Sequence, residues 1–94
     1  MVPYDTVEEY TRKHDGYVEH VRIRRTDDDI YPSGWDYTLH YGTTQDETLL
    51  RYDNAHERTK GHERHTGDAV EEIEFPGMSA LLARFQREVD ELPP

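Results

Sequence analysis

Residues 51–68, RYDNAHERTKGHERHTGD, hold three of the six histidines (His56, His62, His65) and four cations (Arg51, Arg58, Lys60, Arg64). No other stretch of this acidic chain places proton-transferring and anion-binding side chains so close together. Imidazoles titrate near neutral pH, and guanidinium groups hold phosphates or carboxylates bidentately. The chemistry this suggests first is metal-free cleavage of RNA. A base takes the 2′-hydroxyl proton, an acid protonates the leaving oxygen, and cations stabilise charge building on the phosphate. His62 and His65, three apart around Arg64, are the candidates for acid and base. Arg51, Arg58 and Lys60 could clamp phosphate, Asp53 could orient a histidine, and Tyr52 and Tyr41 could stack on bases.

Two other readings of the same residues stand beside it. His62-x-x-His65, with Asp53, His56 or Asp68, offers nitrogen and oxygen ligands to zinc or manganese. The cations Arg58, Lys60 and Arg64 in the same stretch oppose a divalent ion, so no metal or other cofactor is expected. The plainer reading is that these polar groups serve the fold. Asp53 and Asn54 side chains can bond nearby backbone in a turn, and an imidazole can do the same for a loop carbonyl. From residue chemistry alone the plainer reading leads.

The elements that must position these residues follow from periodicity. Residues 4–14 carry both helical and strand signals and read best as a first strand ending at the Asp15-Gly16 hairpin turn. Tyr17 to Arg25 alternates, with Tyr17, Val21 and Ile23 on one face, Glu19 as a misfit, and Val18, His20, Arg22 and Arg24 on the other. Residues 26–34 form a loop. Trp35, Tyr37, Leu39 and Tyr41 point one way, with Asp36, Thr38 and His40 opposite. After a turn over 42–47, Thr48 to Asp53 is a strand. Residues 54–68 are too polar and glycine-interrupted for a core element and read as a long loop. Val70 to Phe75 is a short strand stopped by Pro76. Met78, Leu81, Leu82, Phe85, Val89 and Leu92 then recur at the spacing of an amphipathic helix, with Gly77 as N-cap and Pro93-Pro94 as stop.

The expected fold class is α+β: an antiparallel meander of four to five strands, with one C-terminal helix packed on the aromatic face. The opposite face stays open to solvent, as antiparallel sheets allow. His20, Arg22, Arg24, His40 and Arg51 are expected there, making a basic surface that attracts an anion.

Ninety-four residues suit one domain, 1–94. Hydrophobic residues are only 33%, so the core is thin and a homodimer or partner protein has room to complete it. With no cysteine, disulfides and thiolate metal sites are excluded. No apolar run approaches a membrane span and the N-terminus lacks a signal-peptide core, so a soluble, cytoplasmic protein is expected. The formal net charge is −10, and only Lys13 and Lys60 among the 11 bases are lysines. An acidic surface with arginine in place of lysine suits a high-salt cytoplasm, where salt screens self-repulsion.

The chain also resembles a known family. Its WDYTLHYG strand, Tyr52-Asp53-Asn54, Lys60-Gly61-His62-Glu63-Arg64-His65, Gly67-Asp68, Ile73-Glu74-Phe75 and Leu81-Leu82-Ala83-Arg84-Phe85 are similar, in order and spacing, to the TumE-type family. These are toxin components of type II toxin–antitoxin systems. The likeness covers roughly residues 35–92, while residues 1–34 match loosely; the acidity suits a haloarchaeal member. The resemblance implies a toxin partnered by a helix-turn-helix DNA-binding antitoxin, with ribonuclease-like activity. Its functional residues carry over to Tyr52, Asp53, Asn54, Lys60, His62, Arg64 and His65. Together the two lines give His62, His65, Arg64 and Asp53 as catalytic candidates. Arg51, Tyr52, Asn54, Lys60, His40 and Arg22 are the candidates for binding RNA. The alternative is a non-catalytic module that binds and regulates a helix-turn-helix partner.

Overall fold

The computed structural model describes residues 3–93. Six strands form one antiparallel sheet in simple sequence order, a meander: β1 (Tyr4–His14), β2 (Tyr17–Thr26), β3 (Trp35–Thr43), β4 (Thr48–Asp53), β5 (His62–Thr66) and β6 (Ala69–Ile73). A single helical turn, α1 (Glu57–Lys60), lies between β4 and β5, and the chain closes with α2 (Met78–Asp90). The α+β class with a C-terminal helix holds; the strand count is six rather than four to five. Asp15 and Gly16 both take positive φ, as a two-residue hairpin turn requires, so residues 4–14 are indeed the first strand.

The added strand is β5, inside the stretch read as a long loop. Residues 62–66, HERHT, show no apolar alternation, because only one of their faces meets α2 and that face carries His62 and Arg64. Both bury flat, weakly hydrated groups against aromatic neighbours rather than presenting aliphatic side chains. Gly61, at φ 67°, ends α1 and lets the chain reverse into the strand.

Cross-strand register fixes the faces. Val21 pairs Leu39 and Leu39 pairs Tyr52, while Ile23 pairs Tyr37 and Tyr41 pairs Leu50. Against this apolar patch α2 sets Met78, Leu81 and Phe85, making one core cluster. Area removed from water at about 25 cal/mol per Å² makes this contact the main force holding helix to sheet. The misfit Glu19 belongs to the same face and is satisfied there, accepting a 2.5 Å hydrogen bond from the Tyr10 hydroxyl. Gly77 stands at the N-cap of α2, and its carbonyl accepts the Leu81 N–H at 3.0 Å. Pro93 receives the Tyr41 hydroxyl on its carbonyl oxygen, and the expected stop at Pro94 falls outside the described residues. Among the described residues no helix is long and apolar enough to cross a membrane.

Candidate functional site

Strand parity divides the 51–68 stretch into two groups. His62 and His65 are an odd number apart on β5, so their side chains leave opposite faces of the sheet. The candidates for acid and base therefore do not meet at one site.

His62 lies on the helix side and is 9% exposed. Its ring stacks on Phe75 with centroids 4.4 Å apart, and Nδ1 stands 2.7 Å from the Tyr37 hydroxyl. Its Nε2 is 3.3 Å from Glu57 Oε1. Burial lowers the His62 pKa, against the opposing pull of Glu57 and Glu72. Glu57, unremarked in the sequence, is the hub of this knot. It accepts hydrogen bonds from the Ser33 hydroxyl (2.6 Å), the Ser33 N–H (2.7 Å) and Asn54 Nδ2 (2.7 Å). Asn54 is fully buried; its Oδ1 accepts the Tyr37 N–H and its Nδ2 also donates to the Trp35 carbonyl. These residues lock α1 and the 26–34 loop to β3. An acid three residues past Asn54, in a turn, was the available signal for Glu57.

Arg64 and Tyr52 also face α2. Arg64 donates to Glu88 Oε2 at 2.5 Å, Glu71 Oε1 at 3.1 Å and the Tyr52 hydroxyl at 3.0 Å, while the Tyr52 hydroxyl donates to Glu88. Burial pushes the Tyr52 pKa up to about 12. Burial also pushes the Glu88 carboxyl up, but the Arg64 and Tyr52 hydrogen bonds outweigh it and leave its pKa lowered. Arg64 therefore has its donors committed to this pin between β5 and α2. Tyr52 and Tyr41, 0% and 6% exposed, are not free to stack on bases. Lys60 is exposed at the end of α1.

The open face carries the second group. Register lines up Thr11, His20, His40, Arg51, His65 and Val70 on strands β1 to β6. Neighbouring strands are about 4.8 Å apart, so His40 and His65 flank Arg51 across roughly 10 Å of sheet. The next row is Glu9, Arg22, Thr38, Asp53, Glu63 and Glu72. Arg51 Nε lies 2.8 Å from Asp53 Oδ2, at an angle too poor for a hydrogen bond, and Arg51 Nη2 is 3.4 Å from His65 Nε2. His65 Nε2 is 3.6 Å from both Asp53 Oδ2 and Glu63 Oε1. His40 Nε2 meets the Thr48 hydroxyl at 3.1 Å. Burial lowers the His40 pKa, and the Arg51 and His20 charges lower it further, so it is held neutral at neutral pH. Arg22 Nε is buried without a partner. At the corner of this face Arg24 pairs with Asp36 and lies over the Tyr4 ring. A separate cavity of about 430 Å³, lined by Asp27, Asp28, Asp29 and Arg58 among others, shares no residue with either row.

Of the sequence candidates, the sheet thus gathers Arg51, Asp53, His65, His40 and Arg22 on one surface. It sends Tyr52, Asn54, His62 and Arg64 into the interior. Glu63 joins the first set unpredicted; its position two before His65 on a strand is the signal that would have found it.

A helix-capped antiparallel meander, with imidazoles, guanidiniums and carboxylates side by side on its bare face, makes this a small α+β protein. The chain belongs to the family described as toxin TumE, whose model matches residues 2–93, and the match gives it a toxin-like role. The comparisons with curated proteins and with solved structures gave no match.

Proposed function

We propose that this protein is the toxin of a type II toxin–antitoxin pair and acts on RNA by metal-independent His/Arg acid–base chemistry. The observation that carries the reading is the row His40–Arg51–His65, in which two imidazoles flank one guanidinium on the open face. His40, kept neutral by burial, suits the acceptance of the 2′-hydroxyl proton. His65 suits delivery of a proton to the leaving oxygen, with Asp53 setting the position of Arg51 and His65. Arg51 supports the charge on the phosphate between them, and Arg22 extends the grip along the chain. This moves the second histidine's role from His62 to His40 and takes Arg64 out of the chemistry. The partner is a helix-turn-helix DNA-binding antitoxin, and the site of action is the cytoplasm.

Expression of the chain alone, with and without His65→Ala, tests the reading. Growth arrest with fragmentation of total RNA, abolished by His65→Ala in a protein that still folds, is the expected result. Arrest that survives this substitution removes His65 from the chemistry. A chain that neither arrests growth nor cleaves RNA, yet holds a DNA-binding partner, is instead an interaction module. The exposed first strand, with Val7 56% exposed at the sheet edge, is the surface that would favour that second reading.

A further inference from the structure

The donors around His65 are of a different character from the rest of the open face. Asp53 and Glu63 are directly cross-strand, and Glu72 continues the line on β6. Like charges opposite one another on a sheet repel. Among the described residues the ion pairs of Glu63 run only to His65, and those of Asp53 only to Arg51 and His65. Two carboxylates thus share a single full positive charge, which is a local excess of negative charge on a largely shielded surface. One ligand atom each from Asp53, Glu63 and His65 lies within 4.8 Å of the others. His65 Nε2 is 3.6 Å from each of the two carboxylate oxygens. Ligands around a tetrahedral zinc at about 2.1 Å are about 3.4 Å apart, so the two imidazole–carboxylate edges are already close to that spacing.

Arg58, Lys60 and Arg64, the cations of the same stretch that oppose a metal in the sequence, do not stand in the way. Arg64 is on the other face and tied to Glu88, and Arg58 and Lys60 are exposed around α1. Among the described residues the cation paired with these donors is Arg51, which lies against Asp53 and His65 and is 39% exposed at its side chain, with solvent to turn into.

We infer that Asp53 Oδ2, Glu63 Oε1 and His65 Nε2 form a site for a borderline divalent cation, with Zn2+ preferred over Mn2+, and that Arg51 swings aside to admit it. One imidazole with two carboxylates suits such ions, whereas Mg2+ keeps its waters and favours oxygen alone. Occupation engages the lone pair of His65 and displaces the guanidinium, so the metal turns off the acid–base site. That inhibitory arm rests on the function proposed above; the binding site does not.

Titration calorimetry of the purified full chain with ZnCl2, MnCl2 and MgCl2 tests the site, with circular dichroism to establish that each variant is folded. The expected result is one Zn2+ per chain, weaker Mn2+ and no Mg2+. Glu63→Gln and His65→Ala should each weaken Zn2+ at least about tenfold, and exposed His56→Ala should leave it unchanged. No Zn2+ binding by the wild type, or equal affinity in wild type and folded Glu63→Gln, overturns the inference. RNA cleavage measured in chelator and then in Zn2+ separates the two proposals. Binding as expected from a protein that never cleaves RNA keeps the site and removes the RNA chemistry. Cleavage in chelator by a protein that binds no Zn2+ does the reverse.

Discussion

His62 and His65 stand three residues apart on β5 yet share no surface: one is stacked on Phe75 beneath the sheet, the other lies beside Arg51 above it. Substituting the two should therefore give opposite outcomes. His62→Ala loses a buried aromatic stack and the Tyr37 contact and should cost about 2–3 kcal/mol in a urea melt. His65→Ala should leave the melt within about 0.5 kcal/mol while reducing RNA cleavage at least about a hundredfold. Equal loss of stability in both would place His65 among the structural residues.

The Arg64–Glu88–Tyr52 pin joins β5 to α2 at sites about a quarter exposed. Arg64→Ala removes the closest cation of a largely shielded carboxylate, leaving Glu88 the Tyr52 hydroxyl and the more distant Arg84, and should destabilise by about 1–2 kcal/mol. The double variant Arg64→Ala/Glu88→Ala should cost less than the two single changes added together, and that non-additivity is the readout.

Gly42 sits at the irregularity between β3 and β4, where a Cβ would overlap the Glu47 carbonyl oxygen. Backbone cannot yield as a side-chain tip can. Gly42→Ala should cost about 1–3 kcal/mol by thermal melting and, because it disturbs the strand carrying His40, lower activity as well. A melt indistinguishable from the wild type would show that the turn relaxes freely.

Stability should fall as the solution is acidified. His40 and His62 both have pKa values lowered by burial, so the unfolded chain takes up protons that the folded chain refuses. Their contribution is complete above the unfolded value of about 6.5 and is lost as pH falls through the lower folded values. Glu88, also lowered, adds a second loss below the unfolded carboxylate value of about 4.3. Urea midpoints at pH 7.5, 6.5 and 5.5 should decline in that order, and His62→Gln should flatten the upper part of the decline. A midpoint that rises on acidification would reverse the assigned directions.

Much of this was readable from residue order. The alternation of Trp35 to Tyr41, the hairpin at Asp15-Gly16 and the helical spacing of Met78, Leu81 and Phe85 each follow from a single local period, and each has its expected place. The placement of His20, Arg22, His40 and Arg51 on the open face was also legible, since they inherit their direction from strands with clear apolar partners; that Glu9, Glu63 and Glu72 share that face with Asp53, so that it is mixed in charge rather than basic, was not. What stayed hidden was β5. Its inward residues are an imidazole and a guanidinium, whose fitness for the interior depends on Phe75, Tyr37, Glu57 and Glu88, residues 5 to 25 positions away. Without β5 the parity of His62 and His65 was invisible, and proximity in sequence stood in for proximity in space. The family likeness had the same blind spot, because a shared motif contains fold-making and site-making residues without distinguishing them.

The two rows of the open face contain no Phe, Tyr or Trp: Thr11, His20, His40, Arg51, His65 and Val70 in one, Glu9, Arg22, Thr38, Asp53, Glu63 and Glu72 in the other. If RNA is the target, these rows offer imidazole and guanidinium planes but no Phe, Tyr or Trp platform for a nucleobase, and the protein grips mainly the sugar–phosphate ribbon rather than its spelling. Such an agent would be poorly discriminating, and its safe carriage in a living cell would depend on how tightly it is muzzled rather than on what it chooses to cut.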